Sequence, residues 1–179
     1  MRYVEQRELA LRIFKGDKYA KLRKAIKKEK YLKTLLHIAE KAGALEHWDK
    51  FIDEWKYWVG YRWSSFTDEM RREAFYKLED GTWICYAGRY WLGITDKMRR
   101  EAFYKLEEEL WKYWVGHKWQ GITDKMRIEA FSKLKNEEYI YYAGCGWLGI
   151  TDEMRVEAFP KLKKEVWIDC AKNDWSGIF

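Results

Sequence analysis

The chain has 179 residues, 36% of them charged and 18% aromatic, with a formal net charge of +6. That length suits one domain, or a helical region joined to a repeat array, with enough chain to bury a core. No apolar run reaches the roughly 18 residues of a membrane span, and the charged N-terminus is no secretory signal.

The charge is unevenly placed: residues 1–33 carry +8 and the remainder −2. Asn and Gln total four (Gln6, Gln120, Asn136, Asn173), and Lys and Glu are abundant. That composition is like a hyperthermophile's. Cys85, Cys145 and Cys170 are odd in number and lack CxxC spacing, which argues against a disulfide framework or a structural zinc site. A cytoplasmic setting is the expectation.

In chain order, residues 1–54 read as a basic helical region that caps the rest of the chain. Val4, Leu9, Leu11 and Phe14 are apolar before Gly16. Tyr19, Leu22 and Ile26, then Leu32, Leu35, Leu36 and Ala39, continue at helical spacing. Leu45, Trp48, Ile52 and Trp55 make a further helical stripe, read as a degenerate terminal repeat. Lys18, Lys21, Arg23, Lys24, Lys27 and Lys28 form the densest basic stretch and are candidate contacts to phosphates or an acidic partner.

From residue 55 the chain repeats every 28 residues. Trp63, Trp91, Trp119, Trp147 and Trp175 keep that spacing, as do Thr67, Thr95, Thr123 and Thr151. The string T-D-x-M-R-x-E-A-F-x-K-L occurs four times without insertion. Residues 55–110 and 111–166 share 34 identities in 56, so a 56-residue pair of units was duplicated. A fixed period of this size means stacked supersecondary units with a shared core. The units run near 55–82, 83–110, 111–138 and 139–166, with a terminal hairpin at 166–179.

One half of each unit predicts a helix. Thr suits the N-cap, Asp the first turn, and Glu101–Lys105 is a favourable i,i+4 pair present in every copy. Pro160 predicts that the last copy ends or kinks early. The other half, such as W-I-C-Y-A-G-R-Y-W-L-G-I, is rich in Trp, Tyr, Ile and Val around a central Gly60, Gly88, Gly116 or Gly144. Its composition favours strands, and Gly88-Arg89 suits a tight turn between residues 83–87 and 90–94. The expected fold class is therefore α+β: tandem ββα units, paired as 56-residue modules, behind an N-terminal helical cap. The alternative is an all-α HEAT-like solenoid. D-x-M-R-x-E-A resembles the D…VR..A helix of HEAT-like repeats over about seven residues per unit, and that resemblance implies helix pairs.

Catalysis is not expected, since catalytic groups are singular and these residues recur in fours. His37, His47 and His117 stand apart with no ligand spacing, so neither a metal nor a cofactor is assigned. Cys145, in A-G-C-G-W, reads as a loop thiol present in one unit only, and a nucleophile there would need a nearby base. Residues from Ile38 resemble a helix-turn-helix, but Asp49 replaces an apolar residue there. The second helix is acidic, which suits DNA poorly. Arg71, Arg99, Arg127 and Arg155 follow Asp68, Asp96, Asp124 and Asp152 by three residues and predict an Arg–Asp ladder linking neighbouring units, some pairs bidentate. Trp63, Trp91, Trp119 and Trp147, paired with Trp58, Tyr86, Trp114 and Tyr142, are candidate stacking residues; a core role is favoured for such periodic aromatics, with some at the edge left for partners. The expected function is non-enzymatic binding. A protein partner leads; the alternative is nucleic acid, held by the basic helices and edge aromatics.

Overall fold

In the computed structural model, residues 3–28, 39–40 and 43–175 are described; for residues 3–6, 9, 18, 25 and 28 this covers the backbone alone. The Leu32, Leu35, Leu36 stripe, His37, the start of the Ile38 segment and the last four residues of the terminal hairpin lie outside the described residues.

Every repeat is a pair of helices, and no strand occurs among the described residues. The ββα expectation is overturned, and the all-α alternative fits. After α1 (Tyr3–Ile13) and α2 (Ala20–Lys28), the repeat helices are α3 (Asp53–Arg62) and α4 (Asp68–Tyr76), α5 (Gly81–Tyr90) and α6 (Asp96–Lys105). They continue with α7 (Glu109–Lys118) and α8 (Asp124–Lys133), α9 (Glu137–Gly146) and α10 (Asp152–Ala158), and α11 (Glu165–Asp174). The segments expected as strands, 83–87 and 90–94, give α5 and its exit. Trp91 N donates to Ala87 O at 2.9 Å, so i→i−4 bonding runs through the supposed turn at Gly88. The terminal hairpin is likewise helix α11.

Propensity failed because the central glycine is there for packing. Gly60 lies under the indole of Trp91, Gly116 under Trp147 and Gly144 under Trp175. A Cβ on Gly116 would stand 2.7 Å from Trp147 Cε2, where no side chain fits. Glycine costs a helix about 1 kcal/mol relative to alanine. Close approach of a fully buried indole outweighs that loss, since filling a core aromatic is worth several times as much. The same tryptophan ends its own helix, as C-cap of α3, α5, α7, α9 and α11.

The division into helices follows from caps. Thr67, Thr95, Thr123 and Thr151 accept hydrogen bonds from the N–H groups of Met70, Met98, Met126 and Met154 at 3.2–3.4 Å. Each such cap satisfies one orphan donor of the first turn. Gly93 and Gly121 take positive φ, +78° and +80°, in the loop just before the cap. At Pro160 the last copy passes into a 3-10 turn, Phe159–Lys161, as the missing N–H requires.

The chain falls into two units, Met1–Ile94 and Thr95–Phe179. In the first, α3 packs on α4 and α5, and α1 on α2. Phe14, Tyr19, Leu22 and Ile26 are buried with Phe51, Trp55, Trp63 and Phe66. The expected degenerate helix at 45–55 differs: Ala44–Lys50 is a 3-10 run, and the backbone is extended at Phe51 and Ile52 before α3. That break buries Phe51 between Trp55 and Trp63, with ring centroids 5.7 and 6.2 Å away. In the second unit α9 packs against both α7 and α11. Met98, Phe103, Leu106, Val115, Ile122, Met126, Phe131, Ile140 and Ala143 fill its core, and Phe159 is half-buried.

A carboxylate ties one repeat to the next. Asp53 Oδ2 accepts the N–H groups of Glu79 and Asp80 at 2.6 and 2.8 Å. Glu109 does the same for Lys135 and Asn136, and Glu137 Oε2 for Lys163 and Lys164 at 2.5 and 2.7 Å. These two N–H bonds hold the carboxyl of Glu137 below the usual carboxylate range. Gly81 occupies the same register and carries no carboxylate.

Candidate functional site

Helical spacing sorts the aromatics into two rows. The first row is Trp63, Trp91, Trp119 and Trp147, the expected stacking candidates. They are 2–3% exposed and form core. Trp91 Nε1 donates to Tyr57 O at 3.1 Å, and Trp147 Nε1 to Tyr113 O at 3.2 Å. A buried indole with its N–H satisfied inside has no face left for a nucleobase.

Of the second row, only Trp58, Tyr86 and Tyr142 were among the expected stacking residues. In the first unit, α3 supplies Tyr57, Trp58 and Tyr61, and α5 supplies Trp83, Tyr86 and Tyr90. Tyr57 and Tyr61 stack one turn apart, 6.0 Å between centroids and 8° between planes. Tyr86 and Tyr90 stack likewise at 6.3 Å and 18°. Across the helix pair, Tyr57 meets Trp83 at 5.3 Å and Tyr86 at 5.8 Å, and Tyr61 meets Tyr90 edge-on at 6.3 Å. Tyr57 is buried, while Tyr61, Tyr86 and Tyr90 are 49%, 44% and 42% exposed. Burial, with the neighbouring phenols adding, pushes the Tyr57 hydroxyl up to about 12, so it stays neutral.

Two guanidiniums lie on this surface. Arg62 Cζ is 5.3 Å from the Trp58 ring and 5.6 Å from that of Tyr61; Arg89 Cζ is 5.0 Å from Tyr90. Each is within cation–π range and keeps N–H groups for a partner. The second unit has an aromatic row of its own, Tyr113, Tyr139, Tyr142 and Trp167, with Tyr113 and Tyr139 6.0 Å apart and Tyr142 and Trp167 5.7 Å apart. The positions of Tyr61 and Arg89 there hold His117 and Cys145. The row was legible as Tyr57 and Tyr61 at i and i+4 within W-K-Y-W-V-G-Y, and as Tyr86 and Tyr90 one repeat later; reading these segments as strands hid that spacing.

The Arg–Asp pairs lie within one helix and within one repeat. Nη1 of Arg71, Arg99, Arg127 and Arg155 meets Asp68, Asp96, Asp124 and Asp152 at 2.7, 2.8, 2.8 and 2.5 Å. Nε of Arg71, Arg127 and Arg155 donates to the carbonyls of Gly60, Gly116 and Gly144 at 2.6–2.8 Å. The arginine therefore braces the end of the preceding helix. The step between repeats is made instead by the loop glycine that packs on the aspartate: Gly93 on Asp68, Gly121 on Asp96 and Gly149 on Asp124.

On α2, Lys21, Lys24 and Lys27 are exposed, opposite buried Leu22 and Ile26. Arg23 is half-buried and donates to the carbonyls of Phe14, at 3.0 Å, and Gly16. The side chains of Lys18 and Lys28 lie outside the described residues.

Burial raises the thiols: Cys85 to about 11, and Cys145 also upward. A protonated thiol is a poor nucleophile at neutral pH. Among the described residues no group of three or more His, Cys, Asp or Glu is placed to hold a metal ion, and no helix is long and apolar enough to cross a membrane. Comparison of the chain with protein-family models, with curated proteins and with solved structures finds no match.

Proposed function

We propose that the chain is a non-enzymatic binding protein whose partner is another protein, met by the aromatic face of α3 and α5. One observation carries this reading. Tyr61, Tyr86 and Tyr90 are large and exposed, with Tyr90 stacked on Tyr86 and edge-on to Tyr61, while the fold's aromatic needs are met by the tryptophan row beneath. Tyrosine and arginine together are what protein interfaces favour at their centres. Rings already stacked on one another lose little side-chain entropy on binding. Arg62 and Arg89 at the rim favour a partner segment that mixes apolar and carboxylate side chains. A cytoplasmic setting belongs to the same proposal, since none of Cys85, Cys145 and Cys170 forms a disulfide.

The test is peptide selection from a random library against the folded chain, followed by titration of the selected peptide. Tyr86→Ala combined with Tyr90→Ala should abolish binding, since interface anchors of this kind are worth about 2 kcal/mol or more each. A selected peptide whose affinity survives that change sinks the reading, and so does the failure of any peptide to bind above a control.

A second reading, nucleic-acid binding through α2, is favoured by the exposed Lys21, Lys24 and Lys27 on one side of that helix. It requires affinity for oligonucleotides that falls steeply with salt and disappears when these three become Glu.

A further inference from the structure

The loop between the second helix of one repeat and the first helix of the next reverses its charge along the chain. Lys-Leu-Glu-Asp at 77–80 and Lys-Leu-Glu-Glu at 105–108 become Lys-Leu-Lys-Asn at 133–136 and Lys-Leu-Lys-Lys at 161–164. The backbone does not change with it. Glu79 and Asp80 donate their N–H groups to Asp53 as Lys135 and Asn136 do to Glu109, and Lys163 and Lys164 to Glu137. The fold thus accepts either sign at these positions, and the lysines are not required by it.

In the second unit the lysines converge. Lys133, Lys135, Lys161 and Lys163 line one cleft of about 650 Å³ over an apolar floor of Leu134 and Pro160. Lys161 Nζ donates to Ser132 O at 3.0 Å, which fixes it at the wall. Three carboxylates are near and all are committed: Glu129 pairs with Lys133 at 2.8 Å, Glu109 holds the N–H groups of Lys135 and Asn136, and Glu137 those of Lys163 and Lys164. Lys135 and Lys163 have no ion pair among the described residues. Ammonium groups gathered in a cleft repel one another, and the low-dielectric walls focus their field outward. An entering anion relieves that repulsion.

We infer that this cleft binds an acidic segment of a partner protein, with carboxylates on Lys135 and Lys163 and an apolar side chain on Leu134 and Pro160. The apolar floor favours a peptide over a phosphate backbone, which has nothing to place there. The inference goes beyond the aromatic face, which lies on helices of the first unit.

The test uses labelled peptides with Asp and Glu flanking Leu or Phe, titrated at low and moderate salt. A Lys-substituted peptide is the control, and polyphosphate and a single-stranded oligonucleotide are competitors. Lys135→Glu with Lys163→Glu restores the residue found at Glu79 and Glu107, so the variant should fold, checked by an unchanged melt. Its affinity for the acidic peptide should drop at least about tenfold, two charge-assisted contacts being lost. The Tyr86→Ala, Tyr90→Ala protein should bind that peptide as before. The inference is overturned if the acidic peptide does not bind, if the charge reversal leaves its affinity intact, or if the tyrosine variant loses it too. Polyphosphate or oligonucleotide binding more tightly than the peptide would make this a phosphate site and overturn the peptide assignment.

Discussion

In the first unit Trp91 lies on Gly60, donates to the carbonyl of Tyr57 and stacks on its ring at 6.3 Å; in the second, Trp147 does the same to Gly116 and Tyr113 at 6.4 Å. Arg71 and Arg127 brace those glycine carbonyls alike, at 2.6 and 2.7 Å. The surfaces built on these joints diverge. Around α3 and α5 the first unit shows arginines on tyrosines and a cleft of about 460 Å³ whose walls include Asp53, Glu54, Glu79 and Asp80. The second unit has His117 and Cys145 at the matching aromatic edge and a lysine cleft at its loops. Duplication kept what holds a repeat together and released what faces outward. Identical joints should therefore respond identically to mutation, and the surfaces should not.

The largest effect tests the joint. Trp91→Ala and Trp147→Ala should each cost about 3–5 kcal/mol in denaturant melts, the usual range for core aromatics. Costs that differ widely between the two would break the equivalence of the units. Next, Gly60→Ala and Gly116→Ala should destabilise by about 1–3 kcal/mol through overpacking, although alanine is the better helix former. A gain in stability would mean that the indole does not press on the helix. Arg127→Ala should cost about 1.5–3 kcal/mol, the range for a hydrogen bond to a charged group, and Arg71→Ala about the same.

Glu137 offers a pH test confined to the second unit. Its folded carboxyl titrates below its unfolded value, so its contribution is present above the unfolded value and is lost as pH falls through the folded one. Thermal melts from neutral pH into acid should show a shallower loss for Glu137→Gln than for the parent chain. Parallel curves would remove the carboxylate's role in tying repeats. The smallest stability effect belongs to Tyr86→Ala and Tyr90→Ala, within about 0.5 kcal/mol as for other surface changes. A loss of several kcal/mol would turn that face from a binding surface into core.

Much of the design was legible in particular residues. Thr67 and its copies announce helix starts because a hydroxyl before Asp-x-Met caps the N3 amide. Pro160 announces a shortened helix. Phe103 and Leu106, four and seven residues past Arg99 with Ala102 beside them, announce a buried stripe. The segments around the central glycines were misread because their composition matches a strand and a mid-helix glycine looks costly. At Gly60 the compensating indole, Trp91, sits 31 residues further on, at a distance no local window spans. The candidate site stayed open for the same reason: separating core aromatics from surface ones needs knowledge of which side of each helix faces its neighbour.

The sequence by itself determined the 28-residue period, the pairing of units, the capped helix in each and the uneven charge, since these rest on residue type and short-range spacing. Tertiary structure decided that the second half is a helix, that the periodic tryptophans are core while Tyr61, Tyr86 and Tyr90 are surface, and that Lys133, Lys135, Lys161 and Lys163 share one cleft. Those outcomes depend on groups about one repeat apart meeting in space: an indole on a glycine, a carboxylate on a loop's N–H groups. Their energies exceed the local preferences they override.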